Sequence, residues 1–134
     1  MVRSKDGLDT FFTTMEGLIE KEDKNNPEFE IPARLKELYE AKDYGQYADE
    51  NGKLRVNFLT NNDITGGNSG SPVIDGNGYL IGTAFDGNWE AMSGDISFEN
   101  KVQRTISVDI RYTLFIIDKY AGARHLIDEM TVIK

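Results

Sequence analysis

Residues 66–72 combine a serine with three glycines and a proline, in the order Gly-Gly-Asn-Ser-Gly-Ser-Pro. This density of glycine and proline excludes a helix, because these residues cost backbone entropy and hydrogen bonds. The stretch is predicted to be an exposed turn that presents the Ser69 hydroxyl beside backbone N–H groups. A serine nucleophile needs this arrangement, since N–H donors must hold a developing oxyanion. The alternative is a turn without chemistry, because Gly, Asn and Ser dominate turns for conformational reasons.

The bulk composition excludes several classes of function. The chain has 134 residues, which suits one domain, and its 39% hydrophobic and 28% charged residues are typical of a globular protein. A net charge of −8 argues against a nucleic-acid partner. No apolar run is long enough for a membrane span, and the N-terminal residues do not form a signal peptide. The absence of cysteine excludes disulfides and cysteine-based metal sites, and no cofactor is implied.

Residues 1–53 are predicted to be a lead-in of strand, helix and loop. Residues 11–19 are ambiguous between helix and strand, but the paired aromatics and threonines favour a strand, with Gly17 as a candidate bulge. Pro32 suits the first turn of a helix that carries Leu35, Leu38 and Tyr39 on one face. Residues 43–52 are polar and are predicted to form a loop.

Residues 54–109 are predicted to form half of a small β-barrel around the serine turn. Leu54, Val56 and Phe58 alternate with polar residues, which is typical of a half-buried strand. A hairpin follows Pro72, with its turn at residues 75–78. Residues 86–100 are predicted to be an irregular loop, and Ile106 and Val108 alternate in another strand. Short strands separated by turns favour a barrel.

Residues 110–134 are predicted to be helical. Ile110, Leu114 and Ile117 line one stripe, Gly122 fits a C-terminal cap, and a second short helix carries Leu126, Ile127 and Met130. The fold class is therefore mainly β with α. The whole chain, 1–134, is expected to form a single domain.

The serine turn resembles the nucleophile signature of chymotrypsin-like serine peptidases. Residues 67–72 match it in order: a glycine, Asp or Asn, serine, glycine, a small residue and proline. The resemblance implies that the backbone N–H groups of Gly67 and Ser69 form the oxyanion hole.

A closer resemblance, to the C-terminal portion of the bacterial dipeptidyl-peptidases of types seven and eleven, extends over nearly the whole chain. These are secreted or periplasmic serine exopeptidases that remove dipeptides from free N-termini. Each has a chymotrypsin-like double barrel, interrupted in sequence by a helical domain that caps the active site. The resemblance covers only the final part of a much longer enzyme. The segments that carry it are residues 13–17, 26–29, 35–39, 59–72, 84–90 and 108–112.

The resemblance assigns roles to three positions. Ser69 is the nucleophile, and Asp86 binds the α-ammonium of the substrate, which must be paired when it is desolvated. Gly87 falls where the family sets the specificity of the first pocket. An arginine there would favour Asp or Glu before the cleaved bond, whereas glycine leaves an uncharged pocket for an apolar or aromatic residue. Type seven is therefore favoured over type eleven.

A general base is missing from this assignment. His125 is the only histidine, but it follows the serine, whereas the chymotrypsin-like order is His, Asp, Ser. It is expected to be a surface residue of a helix. The catalytic His and Asp are expected in the N-terminal remainder of the same enzyme, so this chain alone is expected to be inactive. Phe85, Trp89 and Met92 are expected to be packing residues, one of which could line a substrate pocket.

Other functions stay open from the sequence. Asp63 precedes Ser69 by six residues, where trypsin-like enzymes place the acid that binds a Lys or Arg side chain. It either selects basic residues in an endopeptidase or holds its own loop by backbone hydrogen bonds. A third possibility is an inactive peptidase-like domain that binds or scaffolds. The expected partners are peptide substrates and the remainder of the enzyme, with a homodimer also possible, and the expected location is periplasmic or secreted.

Overall fold

The computed structural model describes residues 2–4, 7–9, 11–93 and 101–133. The chain forms two compact units. One comprises Met1–Thr13 and Val56–Ile110, and the other comprises Thr14–Arg55 and Arg111–Lys134. The first is built on a β-sheet and carries the serine turn, and the second is helical. The prediction of a mainly β fold with helices is confirmed.

The first unit is organised around a five-stranded sheet with the strand order β3-β4-β7-β6-β5. The pairs β4–β7, β7–β6 and β6–β5 are antiparallel. Strands β1 and β2 form a separate antiparallel pair. The strands are β1 Val2–Ser4, β2 Gly7–Asp9, β3 Phe12–Thr14, β4 Arg55–Thr60, β5 Pro72–Ile74, β6 Leu80–Gly87 and β7 Thr105–Asp109.

The hairpin after the serine turn is confirmed. Its turn is held by Asp75, whose Oδ1 accepts hydrogen bonds of 2.9 Å from the N–H groups of both Asn77 and Tyr79. Gly78 has φ +86°, a left-handed conformation that favours glycine. The aspartate and glycine signals in the sequence therefore correspond to real turn contacts.

The prediction of an irregular loop over residues 86–100 is wrong at its start. Asp86 and Gly87 belong to β6 and pair with Ile106 and Thr105 of β7. The register shifts between Ala84 and Asp86, as in a β-bulge. Trp89–Ser93 then forms a 3₁₀ helix, and residues 94–100 lie outside the described residues. The two predicted substrate-binding residues are thus held in a sheet.

Strand β7 is confirmed, but its polar side chains are the buried ones. Thr105, Ser107 and Asp109 are buried, whereas Ile106 and Val108 are only half-buried. The Thr105 hydroxyl donates a 2.7 Å hydrogen bond to the carbonyl of Asn62. This bond ties the segment before the serine turn to the strand that lies beside Gly87.

The helical unit begins with a helix that the sequence did not predict. Residues 12–14 are a strand as expected, but α1 covers Met15–Glu20, so Gly17 is helical and not a bulge. The Met15 N–H donates to the carbonyl of Leu54 at 2.9 Å, and the Met15 side chain is fully buried. Burial of the Met15 side chain stabilises α1 directly after β3, in which Thr13 and Thr14 keep the strand conformation that their propensity favours.

The second helix, α2, covers Ala33–Glu40 and follows Pro32 as predicted. Leu35 and Leu38 are buried on one face, which confirms the amphipathic pattern. Residues 43–52 form the expected loop, with a 3₁₀ turn at Gly45–Tyr47. Both tyrosines of this loop, Tyr44 and Tyr47, are buried although the loop is polar overall.

The C-terminal helices are confirmed with different details. Helix α3 covers Ile110–Phe115 and continues as a π-helical turn over Ile116–Tyr120. Gly122 has φ +67° just after it, as expected of a C-terminal cap. Helix α4 covers Arg124–Asp128 and buries Ile127, while Leu126 is exposed and Met130 lies beyond its end.

A buried polar network holds the π-helical turn in place. The Tyr47 hydroxyl and the Arg124 guanidinium donate hydrogen bonds of 2.8 and 2.9 Å to Oδ2 of Asp118. Burial alone would raise the pKa of Asp118, but these two hydrogen bonds and the positive charge of Arg124 lower it below the ordinary aspartate value. The carboxylate therefore stays charged inside the unit.

Candidate active site

The serine turn is closed by Asn68 and by glycine backbone geometry. The Asn68 side-chain carbonyl accepts a 2.8 Å hydrogen bond from the Thr65 N–H, and the Asn68 backbone carbonyl accepts one of 2.9 Å from Ser71. Gly67 and Gly70 have φ values of +97° and +89°, which are strained for residues with a side chain. The positive φ angles explain the glycines at positions 67 and 70, and the hydrogen bonds explain the asparagine at position 68.

The turn is fastened to strand β6 on the far side of the serine. The Gly70 N–H donates to the Ala84 carbonyl at 2.8 Å, and the Ala84 N–H donates to the Ser71 carbonyl at 2.9 Å. Directly before Gly70, Ser69 is exposed and its Oγ donates a 3.3 Å hydrogen bond to the carbonyl of Phe85. The hydroxyl thus faces the end of β6 that carries Asp86 and Gly87.

Two backbone donors lie in the turn without acceptors. The N–H groups of Gly67 and Ser69 make no hydrogen bond within the part of the chain that the structure describes. Unpaired N–H groups beside a nucleophile are what an oxyanion hole requires. These are the two donors that the sequence resemblance selects.

A shallow groove of about 230 Å³ brings three of the four candidate residues together. Ser69, Asp86 and Gly87 all line it, whereas Gly67 does not. The other lining residues come from the serine turn and the segment before it, and from β6 and the segment after it. They are Ile64, Thr65, Gly66, Asn68, Phe85, Asn88 and Ala91.

The Asp86 carboxylate is exposed beside the groove. Its Oδ1 accepts a 2.8 Å hydrogen bond from the N–H of Gly87, which orients the side chain. Its Oδ2 accepts no hydrogen bond from the described residues. One carboxylate oxygen is therefore available for a cationic group in the groove.

The rival candidates lie elsewhere. Asp63 is exposed and is not among the residues that line the groove. His125 is exposed on α4, as expected of a surface residue. The contact between Thr105 and Asn62 and the wall formed by Asn88 and Ala91 were not predicted from the sequence. No local sequence pattern predicts these contacts, because each depends on the pairing of β6 with β7.

The aromatic residues near the groove differ from their expected role. Phe85 is exposed and lines the groove, and Trp89 is 77% exposed, so neither is a core packing residue. The side chain of Met92 lies outside what the structure describes.

The sequence family model described as Peptidase S46 matches residues 2–132. The chain belongs to peptidase family S46. Within this family, the chain is 66% identical over 131 residues to the Dipeptidyl-peptidase 7 of Phocaeicola vulgatus, covering 97% of this chain and 18% of the relative. It is 55% identical over 118 residues to the Asp/Glu-specific dipeptidyl-peptidase of Porphyromonas endodontalis, covering 88% of this chain and 16% of the relative.

A solved structure of a family S46 member matches the fold. The crystal structure of Porphyromonas endodontalis DPP11 in complex with the dipeptide Arg-Glu superposes with a TM-score of 0.92 at 50% identity. The match covers 96% of this chain and 18% of that one. The chain therefore has the fold of the corresponding part of DPP11, and it spans less than one fifth of the length of its relatives.

The described residues contain no helix that is both long and apolar enough to cross a membrane. Within the same residues, no group of three or more His, Cys, Asp or Glu side chains could hold a metal ion.

Proposed function

We propose that the chain is the C-terminal part of a longer serine dipeptidyl aminopeptidase. The enzyme releases dipeptides from free N-termini, with an apolar or aromatic residue before the cleaved bond. The observation that carries this proposal is the groove that joins Ser69, Asp86 and Gly87. The membership of family S46 and the names of the relatives support the same reaction.

The spacing along β6 favours an exopeptidase that removes two residues. The Ser69 hydroxyl contacts the carbonyl of Phe85, and Asp86 is the next residue. Two extended residues span only about 7 Å. A substrate whose ammonium pairs with Asp86 would therefore present its second carbonyl close to Ser69.

In the proposed reaction, Ser69 Oγ attacks the carbonyl carbon of the second substrate residue. Ser69 first gives up its hydrogen bond to Phe85 and transfers its proton to a histidine from the remainder of the enzyme. The N–H groups of Gly67 and Ser69 stabilise the tetrahedral oxyanion. The released amine takes the proton, and water then hydrolyses the acyl-enzyme.

The proposed specificity depends on charge. Asp86 selects a free N-terminus, since a blocked terminus offers no cation to pair with the carboxylate. Gly87 leaves the first pocket uncharged, which favours an apolar penultimate residue over Asp or Glu. The higher identity to the relative named Dipeptidyl-peptidase 7 than to the Asp/Glu-specific relative agrees with this assignment.

The location of the catalytic histidine follows from the same proposal. His125 is the only histidine among the 134 residues, and the proposal does not use it. The 134-residue chain by itself is therefore expected to be inactive. As a separate part of the proposal, the family resemblance implies that the complete enzyme is periplasmic or secreted.

The test compares the complete gene product with the 134-residue chain on two matched peptides, one with a free and one with an acetylated N-terminus. The expected result is dipeptide release from the free peptide by the complete protein only. Internal cleavage of the acetylated peptide would show an endopeptidase instead. Robust Ser69-dependent dipeptide release by the 134-residue chain would contradict the proposal that the catalytic histidine lies in the remainder of the enzyme.

A further inference from the structure

Gly87 is packed closely against the 3₁₀ helix that follows β6. A Cβ atom at position 87 would lie only 2.7 Å from the Cβ of Ala91. Two carbon atoms cannot approach so closely, so a side chain at 87 requires the helix to move. Gly87 has no left-handed backbone, so Ala91, and not backbone strain, restricts this position to glycine.

Ala91 itself is held in place by several hydrogen bonds. Its N–H donates to the Asn88 carbonyl at 2.9 Å. The Asn88 side chain donates to the Val102 carbonyl and accepts from the Arg104 N–H, each at 2.8 Å. The 3₁₀ helix therefore cannot withdraw from Gly87 without breaking buried polar contacts.

The 3₁₀ helix is also held by the segment that precedes β7. The buried Gln103 side chain donates a 3.0 Å hydrogen bond to the carbonyl of Glu90. Residues 102–104 thus hold Asn88 and Glu90, which precede Ala91. The position of the Ala91 methyl group is set by the segment that leads into β7.

We propose that Ala91 is a second specificity-determining residue, which sets the size of the first pocket together with Gly87. The inference rests on the proposed function, because it assigns the groove beside Gly87 to the penultimate residue of the substrate. Ala91 lines the same groove as Ser69 and Asp86. A small residue at 91 leaves room for a large apolar side chain of the substrate, and a larger residue fills that room.

The first experiment measures kcat/KM of the complete gene product on two dipeptide amides. They differ only in the second residue, directly before the cleaved bond, which is Phe in one and Ala in the other. Ala91→Leu is expected to lower the Phe/Ala ratio by about tenfold, since loss of space for one group in an apolar pocket has effects of this size. Ala91→Ser, which is nearly the same size, is expected to keep the ratio. Ala33→Leu, at an exposed alanine of α2, is the matched control.

The second experiment tests the coupling between positions 87 and 91. Gly87→Arg alone forces the helix to move, whereas Gly87→Arg with Ala91→Gly removes the clash. The double variant is expected to cleave substrates with a penultimate Glu at least about fivefold faster than the single variant, because the relieved contact restores the pocket.

A failure of the proposed function and a failure of the role of Ala91 give different experimental results. If the unmodified enzyme releases no dipeptides, the proposed function fails. If it releases them but Ala91→Leu leaves the Phe/Ala ratio unchanged, the role of Ala91 is overturned. Titration of active sites with a serine-directed reagent confirms that each variant is folded, and equal loss on both substrates at a full titre would also contradict the proposal.

Discussion

The Ser69 hydroxyl donates its hydrogen bond to the carbonyl of Phe85, the residue directly before Asp86. Through this contact the serine turn and the end of β6 form one surface, although 16 residues separate Ser69 from Phe85. The proposed nucleophile and the carboxylate proposed to bind the substrate N-terminus are consequently positioned by a single pair of antiparallel strands.

Replacing Asp86 with Asn is expected to reduce kcat/KM for free peptides by 100-fold or more, since an unpaired ammonium would be desolvated in the groove at a cost of about 3 kcal/mol. Steady-state kinetics of the complete enzyme measure this loss. Asp63→Asn is the matched control and is expected to change the rate by less than about twofold, because Asp63 does not line the groove. The reverse order of effects would favour the endopeptidase that selects basic residues.

Gly67→Ala is expected to impair the serine turn because its φ of +97° is unfavourable for alanine by about 1–2 kcal/mol. The turn would relax and misplace an N–H donor of the proposed oxyanion hole. A fall in kcat with little change in KM is the expected kinetic signature. Gly66→Ala is the control, since Gly66 has no left-handed backbone and an added Cβ meets nothing within 4 Å. Equal effects of the two substitutions would contradict this account of the turn.

Asp118→Asn is expected to destabilise the helical unit by about 1–3 kcal/mol at neutral pH, because it removes a buried charge that Tyr47 and Arg124 stabilise. Since the folded-state pKa of Asp118 is lowered, its contribution is present above the ordinary aspartate pKa. It is lost as the pH falls through the lowered value. The penalty in urea unfolding should therefore shrink below about pH 4.

Asp128 provides a control for the Asp118 substitution, because both carboxylates form an ion pair with Arg124. It pairs with Arg124 at 3.0 Å but is exposed. Asp128→Asn is expected to change the free energy of unfolding by less than about 1 kcal/mol. A pH-independent penalty for Asp118→Asn would contradict the stabilising role of the Asp118 charge.

The isolated 134-residue chain is expected to self-associate. Ile74, Tyr79 and Leu80 are exposed at the end of the β5–β6 hairpin, and β5 is an edge strand of the sheet. Light scattering should show a mass that rises with concentration. Joint Ile74→Lys and Leu80→Lys substitutions should lower it, unlike Ile133→Lys at another exposed isoleucine. A monomer at every concentration would count against this prediction.

The sequence predicted those parts of the fold that local chemistry decides. The hairpin turn at Asp75, helix α2 after Pro32 and the cap at Gly122 all depend on contacts within a few residues. The serine turn belongs to the same class, because its glycines and Asn68 are needed for the turn itself.

Features that depend on distant partners were missed. Helix α1 forms because Met15 is buried and its N–H binds the carbonyl of Leu54, 39 residues later. The buried face of β7 is polar, and its Thr105 bonds to the distant Asn62, a contact that apolar alternation cannot reveal. The wall at Ala91 depends likewise on Asn88 and on Val102 and Arg104, which lead into β7.

The most direct test of the central claim is active-site labelling of the complete gene product with a fluorophosphonate, followed by identification of the modified residue and measurement of dipeptide release. The account predicts modification of Ser69 and not of Ser71. It also predicts loss of both labelling and release in Ser69→Ala, with both retained in Ser71→Ala. A Ser69→Ala enzyme that releases dipeptides at the parental rate would contradict the assignment of Ser69 as the nucleophile.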